Sequence, residues 1–125
     1  MSINHTLEGI AGCNDRVLLD GKVLTPHRSW KVKNHSPDGF SWGYGGSGPS
    51  QLALAIMLEL TGKPDGYQDF KFFFIANLPQ TAFKREFSLC KCGSWLFGYM
   101  SEFDISYCQK CNRNYDEHGE EIQTI

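Results

Sequence analysis

Four cysteines carry the most specific chemistry in the sequence. CKCG supplies Cys90 and Cys92, and CQKC supplies Cys108 and Cys111, with fifteen residues between the two pairs. Each close pair can place two thiolates on one ion, and a hairpin in the intervening stretch would bring the pairs together. A tetrahedral all-thiolate set suits Zn²⁺ and leaves no open coordination position, so the metal expected is structural, one per chain. Gly93 allows the positive φ common in tight metal-binding turns. Two disulfides or a redox C-x-x-C would use the same residues. No export signal favours the first, and no thioredoxin-like βαβ pattern surrounds the second. Cys13 lies apart from the cluster and reads as a free, small, partly buried residue.

A second chemistry is suggested by GFSWGYGGSGPSQLALA, residues 39–55. Backbone N–H groups at a helix N-terminus, where the helix dipole is positive, can cradle a phosphate. Gly43, Gly45, Gly46 and Gly48 permit close approach, and Ser47 adds a hydroxyl. The stretch lacks the Gly-Lys-Ser/Thr ending of a Walker loop and is not a G-x-G-x-x-G after a parallel strand. Pro49 also removes one donor. The competing reading is a tight turn in which Trp42 and Tyr44 are packed aromatics that need small neighbours. Directly upstream, Lys22, Arg28, Lys31 and Lys33 form a run with no acid, joined by His27 and His35. The run supplies counter-charges for an anion, or is a solvated strand face. His35 could donate to an anion or act in acid–base chemistry, or be a turn residue bonded to backbone. With Asp38 alone beside it, His35 does not make an enzyme, and no catalytic residue is assigned. The candidate ligand-binding residues are Arg28, Lys31, Lys33, His35, Trp42, Tyr44, Gly45, Gly46, Ser47, Gly48 and Gln51. Gln51 would add a polar contact from the first helical turn.

Positioning these residues requires a scaffold that the pattern partly specifies. RVLLDGKVL reads as a β-hairpin, with Asp20-Gly21 suited to a type I′ turn. SWKVK alternates apolar and polar residues and reads as extended. HSPDGF is turn chemistry. A first helix is expected to open near Pro49, run through SQLALAIMLEL and stop at Thr61-Gly62. Its small polar face implies packing on several sides. A second helix, DGYQDFKFFFIANL, is expected from near Asp65 to just before Pro79. After Lys84 the chain is poor in aliphatics and holds four of the five cysteines. The expected fold is α+β: a small antiparallel sheet packed on two apolar helices in residues 1–84, with a zinc-ribbon-like appendage in 85–125.

Composition bounds the function classes. In a chain of 125 residues, 41% hydrophobic residues are enough for a real core, and a net charge of −2 argues against general polyanion binding. From Arg85 onward four basic residues face seven acidic ones, so the cysteine segment is not itself expected to bind nucleic acid. Its Trp95, Phe97, Tyr99 and Phe103 are expected to pack on the main domain, or to form a stacking surface or a protein-binding edge. No run is long enough to cross a bilayer. The first residues lack the basic start and apolar core of a secretory signal, so a cytoplasmic protein is expected.

From NHSPDGFSWGYGGSGPSQLALAIMLELTG to YQDFKFFFIANLP, the sequence closely resembles an uncharacterised family of small proteins found in bacteria, plasmids and phages. The matching positions include Ser36, Pro37, Gly39, Phe40, Trp42 to Pro49, Gln51 to Ala53, and later Tyr67, Gln68, Phe70 and Lys71. Ser41 stands where many relatives carry an acid, and the cysteine segment looks like an addition to the usual domain. The resemblance implies no biochemical activity. Its setting in mobile elements implies a phage or plasmid accessory role, including interference with host defence. The leading expectation is a protein that binds a phosphate-containing ligand, a nucleotide or a nucleic-acid backbone, through the glycine loop. The alternative is an interaction module that inhibits a host enzyme through Trp42, Tyr44 and the aromatic cysteine segment. An enzyme using His35 or Asp38 comes third.

Overall fold

The computed structural model describes residues 4–10 and 16–89, together with the backbones of four short strands beyond them. The chain divides into two compact units, Thr6–Arg85 and Met1–His5 with Glu86–Ile125. The fold is α+β, with a small four-stranded antiparallel sheet and three helices.

The strands are β1 (Asn4–Ile10), β2 (Arg16–Leu19), β3 (Lys22–Leu24) and β4 (Phe83–Ser88), in the order β3-β2-β1-β4. The expected hairpin is present: Leu19 pairs with Lys22, and Asp20 and Gly21 take φ of +52° and +82°. Two positive φ values in succession define the type I′ turn, whose twist matches that of its strands. The turn is tied to β1 in both directions. The Asp20 N–H donates to the Thr6 carbonyl at 2.9 Å, and the Thr6 N–H donates to Asp20 Oδ1 at 2.9 Å.

SWKVK is not extended. It lies in helix α1 (His27–Val32), with Pro26 at the N-cap. A six-residue helix has no stability of its own. This one is held by a local bond, the Ser29 hydroxyl donating to the Pro26 carbonyl at 2.7 Å, and by a tertiary bond that an alternating pattern cannot reveal, the same hydroxyl accepting from the Gln51 side chain at 2.8 Å.

Helix α2 (Ser47–Thr61) begins two residues ahead of Pro49, which occupies the third helical position and still lies in the turn where a missing N–H costs nothing. Its run from Leu52 to Leu58 is buried throughout, as the small polar face required. Gly62, in the left-handed region with φ +77°, stops it. The second expected helix is divided. Helix α3 (Tyr67–Phe73) ends at Phe74, and a 3₁₀ turn (Ile75–Asn77) follows. The break has a cause: Asn77 Nδ2 donates to the carbonyls of Phe72 and Phe73 at 3.1 and 3.2 Å, capping α3 early. Phe70 is fully buried, whereas Phe72 and Phe73 are more than half exposed.

In the second unit, the His5 ring lies 5.5 Å from that of Phe87, and the Ser88 hydroxyl donates to Asn4 Oδ1 at 2.6 Å. Strands β5 (Phe97–Met100), β6 (Ile105–Tyr107), β7 (Asn114–Tyr115) and β8 (Glu121–Ile122) form an antiparallel sheet in sequential order. Cys90, Cys92, Cys108 and Cys111 lie outside the described residues, as does Cys13. No helix among the described residues is long and apolar enough to cross a membrane.

Candidate functional site

Gln51 organises the region that the sequence singles out. It is completely buried in an otherwise apolar stretch of α2, and its amide hydrogen-bonds four times. Its Oε1 accepts from the N–H groups of His35 at 2.6 Å and Ser36 at 3.0 Å. Its Nε2 donates to Ser29 Oγ at 2.8 Å and to the Lys33 carbonyl at 3.1 Å. That uses both donors and both acceptor positions of a primary amide. Gln51 therefore fastens residues 29–36 to α2 and has no amide capacity left for a ligand contact. The signal was in the sequence: one glutamine at the head of LALAIML has no solvent face to occupy.

The clamp fixes the basic residues in space. Lys33 projects from a segment whose backbone Gln51 holds, and its side chain is exposed. Arg28 sits at the far end of α1, 3.8 Å from Glu59 on α2, with both side chains more than half exposed. An ion pair of that kind contributes little. Gln51, Ala55 and Glu59 follow one another at four-residue intervals and so share one face of α2, on which Gln51 and Glu59 meet residues of α1. Lys31 is exposed one turn beyond Arg28.

His35 occupies the junction of this segment with α3. Its Nε2 lies 2.9 Å from the Tyr67 hydroxyl, and its ring is tilted against the Tyr67 ring. Burial, then the charges of Lys33 and Lys71, lower its pKa from the usual histidine value. Its ring partner is thus a phenol rather than a carboxylate. Asp38 is exposed in the following turn, and among the described residues it makes no ion pair with His35. Lys71 is itself 93% buried, being 7% exposed, and its ammonium lies 4.2 Å from the centroid of the Phe72 ring.

The glycine loop is largely explained by packing. Trp42, expected on the binding surface, is only 4% exposed. Its indole N–H donates to the Thr81 carbonyl at 3.0 Å, and its ring meets Phe83 edge-on at 5.2 Å. It is a core residue because its large apolar body can be buried while its single polar atom finds a carbonyl. Gly43 takes φ +87°, donates to the Ile75 carbonyl and accepts from the Gln80 side chain. A Cβ at Gly48 would overlap the Ser41 hydroxyl, and one at Gly46 would overlap the Tyr44 ring. Gly45 differs: it has no positive φ, and a Cβ there would meet nothing within 4 Å. Tyr44 is nearly half exposed, with its hydroxyl 2.8 Å from Ser41 Oγ. Gly46 is the N-cap of α2 and makes no side-chain cap. The N–H groups at the head of this 15-residue helix are therefore served by no capping side chain.

The eleven predicted ligand residues thus fall into separate places. Tyr44 to Gly48 form the mouth of α2, with Lys33 and His35 held beside its first turns through Gln51. Trp42 is in the core. Arg28 instead lines a shallow groove of about 320 Å³. Its walls come from the β2–β3 hairpin (Asp20, Lys22, Val23) and the later part of α2 (Ala55, Glu59), and no glycine-loop residue reaches it. Sequence reasoning missed the juxtaposition of Lys71 and Tyr67 with His35, although their i, i+4 spacing puts both on one face of α3.

No curated protein and no solved structure matches the chain. One family model does match, over residues 9–90, a span that includes the hairpin, the glycine loop, the Gln51 clamp and α3 but leaves Cys92, Cys108 and Cys111 outside. The chain belongs to DUF6166, a family of unknown function.

Proposed function

We propose that the Thr6–Arg85 unit is a binding module for a phosphate-containing ligand, a nucleotide or a nucleic-acid backbone, received at the mouth of α2. One observation carries this reading: an uncapped helix start fronted by Gly45, the loop glycine that neither packing nor φ requires. A glycine without a structural reason is explained by a ligand that approaches the backbone closely. Lys33 and His35 supply the flanking charge and donor, while Gln51 positions them without touching the ligand and Trp42 anchors the loop in the core. The resemblance to plasmid and phage proteins extends the proposal to an accessory role in mobile elements, in the cytoplasm. Calorimetry against a nucleotide panel and short oligonucleotides tests it. Micromolar binding that Gly45→Val abolishes is expected, and binding to none of them refutes it.

We further propose that Cys90, Cys92, Cys108 and Cys111 hold one structural Zn²⁺. The pairing of Phe97 with Tyr107 means that the chain enters β5 and leaves β6 at the same end of that pair. In sequence, Cys92 lies shortly before β5 and Cys108 directly after β6. When bound, the ion would cross-link a segment poor in aliphatic residues.

A protein-binding role is the second reading, favoured by the exposure of Tyr44, Phe72 and Phe73. Capture of a host protein that Tyr44→Ala abolishes and free phosphate does not compete would select it over the first.

A further inference from the structure

Lys71 is the least expected residue of the Thr6–Arg85 unit. Its exposure is 7%, it lies on the same face of α3 as Tyr67, and among the described residues it forms no ion pair. Lysines are almost never buried to that extent unless paired. Its stem is covered, its ammonium leans on the Phe72 ring, and the surrounding charge is positive rather than negative. Lys33 and Lys71 both act on the His35 imidazole, and no carboxylate does. The groups facing His35 are Tyr67 and Lys71 from α3, Lys33 from its own segment and the uncharged Gln51 amide from α2. An imidazole and a phenol 2.9 Å apart are thus flanked by Lys71, buried on the same face of α3 as Tyr67, and by Lys33, two residues before His35, and among the described residues no acid pairs with either lysine.

We propose that Lys33, His35, Tyr67 and Lys71 form a receptor for a tetrahedral oxyanion, the phosphate group of the ligand described above. This rests on the phosphate reading but not on the glycine loop, and it assigns the charge-bearing part of the ligand to the junction of α3 with residues 33–36. The two lysines supply charge, the Tyr67 hydroxyl and the imidazole supply directed donors, and the Gln51 clamp holds the His35 backbone so that donor positions are fixed beforehand. A positive cluster without a counter-ion repels protonation of its own histidine. An arriving dianion reverses that repulsion, so His35 takes up a proton as the anion binds. Affinity for an anion of fixed charge is therefore greater at pH 6 than at pH 8.

The test is a titration of the full chain with inorganic phosphate, followed by proton and nitrogen NMR of the His35 ring and of the backbone amides. Phosphate is expected to shift the His35 ring signals and to move the His35 titration midpoint upward, and sulfate, a tetrahedral dianion whose charge is constant over this range, is expected to bind more tightly at pH 6 than at pH 8. Lys71→Met keeps the buried stem and removes the charge, and is expected to weaken phosphate binding about tenfold or more. Lys33→Gln, at an exposed position that cannot compromise folding, is expected to weaken it in the same direction. If phosphate shifts the amides of residues 45–48 and leaves the His35 ring unmoved, the cluster is not the receptor and the loop reading survives. If phosphate moves neither while a nucleotide still binds, the receptor is likewise overturned. Unchanged affinity in both Lys33→Gln and a folded Lys71→Met also overturns it.

Discussion

Replacing Gln51 by leucine isolates the clamp from everything else in the site. Leucine fills nearly the same volume in the same helix but can satisfy none of the four groups that the amide serves: the N–H of His35 and of Ser36, the Lys33 carbonyl and the Ser29 hydroxyl. At about 1 kcal/mol net for each hydrogen bond, the loss approaches ~4 kcal/mol. The bond to Ser29 is buried and the others are part-buried, so water can reach some of the freed groups. The added apolar burial of leucine offsets about 1 kcal/mol more. A net destabilisation of about 3 kcal/mol follows, a large share of the 5–15 kcal/mol typical of a domain, with Tm lowered by about 10–20 °C. Urea unfolding followed by tryptophan fluorescence gives the stability change, and Trp30 and Trp42 report on both sides of the clamp. Hydrogen exchange at the His35 and Ser36 amides locates it, because those two protons should lose protection while Leu54 and Ile56 in α2 retain theirs relative to the new global stability. A loss below about 1 kcal/mol, with His35 and Ser36 still protected, would refute the claim that this amide holds residues 29–36 in place.

The other predictions concern pH, metal and packing. The folded state disfavours charged His35, so the unfolded chain takes up the proton first as pH falls through the ordinary histidine value; stability should decline from there until the lowered folded pKa is passed, and then level. The urea midpoint measured between pH 8 and pH 5 should show this decline, and His35→Gln should reduce it. Elemental analysis should find about one zinc per chain, and Cys108→Ser should release it; substantially less metal in the native protein would remove the four-thiolate site. Gly48→Ala should destabilise by about 1–3 kcal/mol through its collision with the Ser41 hydroxyl, and Ser41→Gly in the same chain should recover most of that in thermal unfolding.

What the sequence disclosed depended on whether the cause was local. Asp20-Gly21 determines its turn by its own φ preferences, and Gly62 ends α2 for the same reason, so both were legible. The glycine loop was recognised as a helix start, but the fate of Trp42 was not, because its partners Thr81 and Phe83 lie some forty positions away in sequence. The expectation that SWKVK, residues 29–33, is extended fails for a related reason. Alternation of apolar and polar residues is a strand signal only when a sheet neighbour exists to use it. Here the stronger influence is Ser29, drawn into a buried bond with Gln51, and a helix places its hydroxyl where that bond can form. The Gln51 amide holds the backbone of Lys33 and His35 beside the first turns of α2, but Tyr67 and Lys71 complete the surroundings of His35 from a different helix. No reading of one segment at a time would have joined them. The proposed zinc ligands have the opposite character: their spacing in the sequence is itself the argument.

The clamp also separates two tasks that binding sites often confuse. Of the four groups that Gln51 engages, three are main-chain atoms, on Lys33, His35 and Ser36. A backbone amide offers the same hydrogen bond whatever side chain it carries. The residues at 33, 35 and 36 can therefore be exchanged without opening the seam, provided that Gln51 and Ser29 stay. Such a frame tolerates turnover of its contact residues while its geometry persists. On the proposed binding role, variants at 33 and 35 should change what is bound, whereas variants at 29 and 51 should loosen the seam itself.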